Sequence, residues 1–181
     1  MGKYSSQHWT TILEPAEIGY GHQERTFVQK CRKVLNTILA HLAYRCPSNG
    51  MRVRLHRWRG CHIGEDVYLG QYCVLDNLAP EYIYIQDHAS VNAGCMILTH
   101  FNPATHFKGI LNAEVKPTVI CENAMVAVRC TIMPGVTVGK FAMASAGMVI
   151  DKDVPDYHML YEKATVKYIN LEKVIKKNTQ Q

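Results

Sequence analysis

The chain has 181 residues, a formal charge of +5 at neutral pH, 48% apolar residues and 19% charged ones. That is the make-up of one globular domain with appendages, long enough to bury a sizeable core. The modest positive charge suits an anionic ligand or an anionic membrane face, but basic and aromatic residues are too sparse for a nucleic-acid binder. Seven cysteines are scattered singly with no CxxC pair, which argues against a disulfide framework and for a reducing compartment. No basic-then-apolar leader and no run of about eighteen apolar residues is visible, so the chain is expected to be cytoplasmic.

In chain order, residues 1–23 have no period and are expected to form an irregular lead-in. From Glu24 to about Cys46 the spacing is helical. Phe27, Cys31, Val34, Ile38 and Leu42 recur at three and four, and Val28, Leu35 and Leu39 widen the stripe. The stripe predicts a helix packed against the rest of the molecule. Lys30, Arg32, Lys33 and Arg45 lie off it, and a basic amphipathic helix of this kind also suits a peripheral contact with a membrane. Pro47-Ser48-Asn49-Gly50 ends the helix. From Met51 to Arg59, Arg52, Arg54, Arg57 and Arg59 alternate with apolar residues, which predicts a strand with one wet face. Its arginines are expected to be solvated or to collect a phosphate or an acidic acceptor. Residues 1–60 thus read as a helical cap and a lead-in strand closing an open end of the structure beyond.

That structure runs from Ile63 to Ile150, where the pattern repeats every six residues. Ile63, Leu69 and Leu75 form one set, and Ile85, Val91 and Ile97 a second. Ile120, Val126, Ile132, Val138, Ala144 and Ile150 form a third. Four places on stand small or β-branched residues: Val67, Cys73, Ala79, Ala89, Cys95, Ala124, Cys130, Val136 and Ala142. A period of six fits neither an α-helix nor an alternating strand. It fits short strands joined by tight corners, three to a coil, in an all-β solenoid whose core exists only because the coils stack. Two interruptions break the period. A small bulge falls at Leu78-Ala79-Pro80-Glu81, and a longer excursion, the loop 101–119, leaves the coil just after His100. Residues 61–157 form this domain, and 158–181 a basic tail expected to lie back on it.

His100 is the leading candidate for chemistry. It ends the strand Ile97-Leu98-Thr99-His100 where the excursion departs, on rigid structure beside a separate wall. Acyl transfer from a thioester to a hydroxyl needs a base for the hydroxyl proton, and imidazole is suited to that. Backbone N–H groups at a tight turn can stabilise the oxyanion.

The order of motifs beyond this point is specific. Thr99-His100, Pro103, Lys116-Pro117 and Ile120-Cys121-Glu122-Asn123 are followed by Pro134-Gly135-Val136-Thr137-Val138-Gly139. Last comes Gly147-Met148-Val149-Ile150-Asp151-Lys152-Asp153-Val154-Pro155. Over about residues 60–157 this resembles the galactoside, maltose and xenobiotic acetyltransferases of the hexapeptide-repeat acyltransferase superfamily. The resemblance implies a left-handed parallel β-helix; its hand comes from the resemblance, since parallel crossovers are otherwise right-handed. It also implies acetyl-CoA-dependent O-acetylation of a sugar or polysaccharide precursor in a ternary complex, with His100 as general base and no metal. Carried over by position, Ala127 and Val128 lie along the pantetheine arm, and Ser145, Ala146, Asp151 and Lys152 nearer the nucleotide. Asp76 and Asn77 fall where relatives hold the acceptor, and a homotrimer with the cofactor between solenoids is implied.

Two departures stand out. Asn123-Ala124-Met125-Val126-Ala127 lacks the tryptophan that relatives carry here. Tyr161-Glu162-Lys163-Ala164-Thr165-Val166 replaces the Ala-Gly-x-Pro-Ala-Lys loop that helps hold coenzyme A in relatives, so the cofactor is expected either to be held differently, by Lys163 or Lys167, or to bind poorly. The changed loop keeps a non-catalytic scaffold in view. His62, His88, His100 and His106 keep a zinc-dependent carbonic-anhydrase-like hydratase in view, although that family's His-x-x-x-x-His pair is absent.

Overall fold

In the computed structural model of the chain, residues 12–18 and 26–162 are described. The N-terminal part holds β1 (Ala16–Glu17), α1 (Phe27–Arg45) and α2 (Asn49–Trp58). The first coil follows with β2 (His62–Ile63), β3 (Tyr68–Leu69) and β4 (Val74–Leu75), and the second with β5 (Ile83–Ile85), β6 (Ser90–Val91) and β7 (Met96–Ile97). A hairpin of β8 (His100–Phe101) and β9 (Glu114–Val115) leaves the corner after the second coil. The third coil has β10 (Thr118–Ile120), β11 (Met125–Val126) and β12 (Thr131–Ile132). The fourth has β13 (Thr137–Val138), β14 (Met143–Ala144) and β15 (Val149–Ile150), and β16 (Met159–Leu160) belongs to a fifth.

Equivalent strands of successive coils pair in parallel and make three faces: β2-β5-β10-β13, β3-β6-β11-β14-β16 and β4-β7-β12-β15. The register stacks the hexad residues in columns. Ile63, Ile85, Ile120 and Val138 form one, and Leu69, Val91, Val126, Ala144 and Leu160 the next. Leu75, Ile97, Ile132 and Ile150 complete the third. Every one of the hexad positions from Ile63 to Ile150 is at most 2% exposed. Each Ile or Leu so placed stabilises the fold by roughly 1.5–3 kcal/mol.

The corners explain the other registers. Asp66, His88, Asn123, Phe141 and Tyr157 all take φ between 51° and 61°, one above another at the corner between the first two faces. A left-handed residue there turns the chain sharply and leaves room inside for little more than Ala89, Ala124 or Ala142, all buried. Cys73, Cys95 and Cys130 fill the same small site at the next corner, as compact apolar residues. At Gly70 a Cβ would run into the backbone of Asn92 and Ala93 in the coil above, so no larger residue fits.

The stretch expected as a lead-in strand is instead α2, capped by the Ser48 side chain, which accepts from the Met51 N–H. The misreading has a physical cause. Alternating arginines suggest a wet strand face, yet Arg52 and Arg59 are buried together with Val53, Leu55 and His56, a helical spacing. They face the open end of the solenoid, whose first-coil carbonyls have no strand below them. Arg57 donates to the Ile63 and Gly64 carbonyls at 2.9 and 2.5 Å. Arg52 donates to Leu69 O at 2.7 Å, and Arg59 to Leu75 O and Asp76 O at 3.0 and 2.7 Å. One guanidinium thus closes each face, and Asn49 adds a reciprocal pair of bonds to Val67 O and the Leu69 N–H. The forked donors of arginine suit this task because one side chain reaches two or three carbonyls.

His56 sits inside this cap. Its Nδ1 accepts from Arg59 at 2.7 Å, and burial, then the charges of Arg59 and Arg52, push its pKa down from 6.5 to about 3. The unfolded chain therefore binds a proton that the fold excludes. The stability gained is complete above pH 6.5 and is lost as pH falls from there toward 3, at about 1.4 kcal/mol per pH unit. Denaturant midpoints taken from pH 7 down to pH 4 should fall accordingly, and His56→Gln, which keeps an acceptor for Arg59, should flatten that limb. Parallel pH profiles for the two proteins would refute the assignment.

The helix expected from the spacing is present as α1, but it packs chiefly on α2, and its apolar stripe does not face the body. Ala43 is buried and Asn36, Thr37, Leu39 and Ala40 are half-buried, while Phe27, Val28, Val34, Leu35, Ile38 and Leu42 are exposed. Apart from Leu39, the side chains that meet the body are small or polar, and Asn36 bonds to the cap, donating to Asn77 O and accepting from Arg59. The lead-in also departs from expectation. β1 pairs antiparallel with β9, which pairs antiparallel with β8, so the excursion is a small three-stranded sheet rather than a bare loop. The bulge expected near Pro80 is a short 3₁₀ turn at Pro80–Tyr82. No described helix is long and apolar enough to cross a membrane. The tail from residue 163 onward lies outside the described residues.

Candidate active site

The corner between the third and first faces carries the candidate chemistry. Two excursions stack on it, the Pro80 turn from the first coil and the β8–β9 hairpin from the second. Asp76 opens the lower one and His100 the upper. The Asp76 side chain is only 1% exposed and that of His100 31%. Asp76 Oδ2 stands 2.5 Å from His100 Nδ1 and also accepts from the Thr99 and His100 N–H groups at 2.8 and 3.2 Å. Its Oδ1 accepts from the Leu78 N–H at 2.8 Å. Burial alone would raise the Asp76 pKa. The Thr99 and Leu78 N–H groups and the His100 imidazole outweigh it and hold the carboxyl below its ordinary value. An ionised carboxylate at Nδ1 fixes the tautomer, so Nδ1 carries the hydrogen and Nε2 the lone pair. Nε2 makes no hydrogen bond among the described residues.

Each neighbour tightens this arrangement. Thr99, fully buried, donates its hydroxyl to Ala79 O at 3.1 Å and ties the two excursions together. Thr118 donates to Leu98 O at 2.6 Å. Pairing of His100 with Val115 holds the hairpin's base. From below, Arg59 grips the Asp76 backbone and bonds Asn77 Oδ1 at 2.6 Å. A chain of bonds thus runs from Asn36 of α1 through Arg59 to the backbone of Asp76, whose carboxylate orients His100. Arg59, expected to be solvated or to collect a phosphate or an acidic acceptor, instead supports this corner from below, and no spacing rule links position 59 to position 100.

The structure brings some predicted residues together and separates others. Asp76 stands beside His100, with its carboxylate oxygens taken by the chain and the imidazole. Asn77 is next to it, exposed, with its Oδ1 taken by Arg59. Asp151 and Lys152 are exposed on the same corner, farther up the stack. Ala127, Val128, Ser145 and Ala146 lie on the next corner, a full face away, where the Ala127 N–H to Ala144 O and Gly147 N–H to Val128 O bonds stack the two coils. Ala127 and Ser145 are half-buried, and Val128 and Ala146 exposed. Lys163 and Lys167 lie outside the described residues. His62, His88, His100 and His106 are not gathered, and no group of three His, Cys, Asp or Glu among the described residues is placed to hold a metal ion. Two open cavities, of about 430 and 610 Å³, flank α1 and share Arg59 and Asn77, and His100 lines neither.

The stacked three-faced coil places the chain by fold: it has the left-handed parallel β-helix fold seen in hexapeptide-repeat acetyltransferases. It is similar to such an acetyltransferase from Vibrio cholerae, with a TM-score of 0.61 and 18% identity over 74% of this chain and 87% of that one. A structure of the Vibrio protein with acetyl coenzyme A also matches. A galactoside acetyltransferase in complex with coenzyme A matches with a TM-score of 0.54 and 14% identity, over 76% of this chain and 79% of its own. In sequence, YvoF of Bacillus subtilis (strain 168), provisionally named an acetyltransferase, is 27% identical over 124 residues, 68% of this chain and 69% of YvoF. No protein-family model matches.

Proposed function

We propose that the chain is an acetyl-CoA-dependent O-acetyltransferase with a sugar or polysaccharide-precursor hydroxyl as acceptor. The observation that carries this is the Asp76–His100 pair, which leaves Nε2 as an oriented base facing away from the carboxylate. The acetyltransferase neighbours crystallised with acetyl coenzyme A or coenzyme A, and YvoF, support the donor. In the reaction, His100 Nε2 takes the acceptor's hydroxyl proton as that oxygen attacks the thioester carbonyl carbon. The C–S bond then breaks, and the imidazolium returns the proton to the departing sulfur, giving an ester and free coenzyme A. Asp76 stabilises the transient imidazolium and holds the ring, and is therefore an orienting group rather than the acceptor's ligand. Asn77 remains the acceptor-side candidate, with its amide donors.

The short side chains at Ala127, Ser145 and Ala146, with open space at Gly147, suit an extended pantetheine arm passing along that corner. Lys152 supplies a cation for the nucleotide phosphates. Ala127, Ser145 and Ala146 lie a face away from His100, whereas Lys152 shares its corner, so within one chain the pantetheine corner and the base stand on different edges of the solenoid. That separation supports a homotrimer in which neighbouring solenoids enclose the donor. Calorimetric titration with acetyl-CoA, followed by an acceptor panel, tests the reading. Saturable micromolar binding and acetyl transfer are expected. No binding would overturn it in favour of a scaffold, since Tyr161-Glu162 stands where relatives have a coenzyme A loop.

A further inference from the structure

The exposed stripe of α1 has no role in the transferase reading. Phe27 is 80% exposed, Val34 61%, Leu35 56%, Ile38 51% and Leu42 56%, and they share one face along a helix about 28 Å long. That face points away from the side on which Asn36, Ala40 and Ala43 meet the body. Scattered surface apolar residues need no explanation, but a continuous stripe of this length does.

Charge decides what covers it. α1 carries Lys30, Arg32, Lys33 and Arg45 and no acidic residue. Lys30 is three residues from Phe27 and four from Val34, and Arg45 three from Leu42, so both border the stripe. Pairing this helix with that of a second copy would oppose cations with no acid to meet them. Residues 163–181 suit it no better, since Lys163, Lys167, Lys173, Lys176 and Lys177 outnumber the acidic Glu172. We infer that α1 docks on an anionic lipid surface, its stripe entering the headgroup–acyl boundary while Lys30 and Arg45 extend to the phosphates. The solenoid then stands on the membrane by its capped end, with the His100 corner one to two coils above the surface. A sugar acceptor carried on a lipid would be within reach.

The test is co-sedimentation of the full chain with vesicles of phosphatidylcholine alone or mixed equally with phosphatidylglycerol. The wild type should bind the mixed vesicles at least about 10-fold more tightly than neutral ones, and lose that preference in high salt. Ile38→Asp should abolish binding, and Lys30→Glu with Arg45→Glu should weaken it at least about 10-fold. All three side chains are exposed, so melting temperatures should be unchanged. No sedimentation with mixed vesicles, or equal sedimentation of Ile38→Asp, would overturn the inference. So would light scattering in which Ile38→Asp dissociates an oligomer while vesicle binding persists, because the stripe would then be covered by a second copy. None of these readouts depends on acetyl transfer, so the inference and the transferase reading can fail separately.

Discussion

His100→Ala is expected to lower kcat for acetyl transfer by roughly 10²–10⁴-fold while leaving acetyl-CoA affinity within about twofold. The split follows from position. The imidazole bonds only Asp76 among the described residues, and the corner proposed for the pantetheine arm lies a face away. Asp76 keeps the Thr99 and Leu78 N–H groups after the substitution, so the carboxylate is not orphaned and the fold should melt near the wild-type temperature. Steady-state kinetics with calorimetry on the same preparations would check this. A kcat within about threefold of wild type would remove His100 from the reaction and with it the proposed mechanism.

Arg59→Ala is expected to cost about 3–5 kcal/mol of stability and lower the melting temperature by roughly 10 °C. The guanidinium donates to His56 Nδ1, Leu75 O, Asp76 O, Asn77 Oδ1 and Asn36 Oδ1 while the residue is 4% exposed. Its removal leaves buried acceptors without donors in a space that water cannot readily fill. The corner that carries Asp76 loses its floor as well, so kcat should fall at temperatures where the variant is still folded. Arg59→Lys should recover little of either loss, because one ammonium cannot reach acceptors in five directions. A variant melting within about 2 °C of wild type would mean that the cap does not close the solenoid.

Much of the molecule is legible in one dimension. A stacked coil repeats one environment, so Ile63, Ile85, Ile120 and Val138 occupy equivalent places and the chain must return an aliphatic residue to that place each time. Tight corners likewise demand a small residue inside, which is why Cys73, Cys95 and Cys130 keep their register. His100 was visible because it marks where a regular period breaks.

What stayed hidden depends on contacts that no period encodes. The buried arginines of α2 alternate like a wet strand face, and only the unpaired carbonyls of the first coil explain why they turn inward. The stripe of α1 predicts packing, yet the side of the helix that meets the body is chosen by Asn36 and Ala43, which bond to and fit the cap. Asp76 lies 24 positions before His100 and bonds it only because the coil brings consecutive corners one above the other. The hexad period by itself determined the solenoid, its core and the position of the break. The tertiary structure alone decided which charged groups are buried, which apolar face is left open and which carboxylate orients the base, because each depends on donors and acceptors that meet only after the coil has closed.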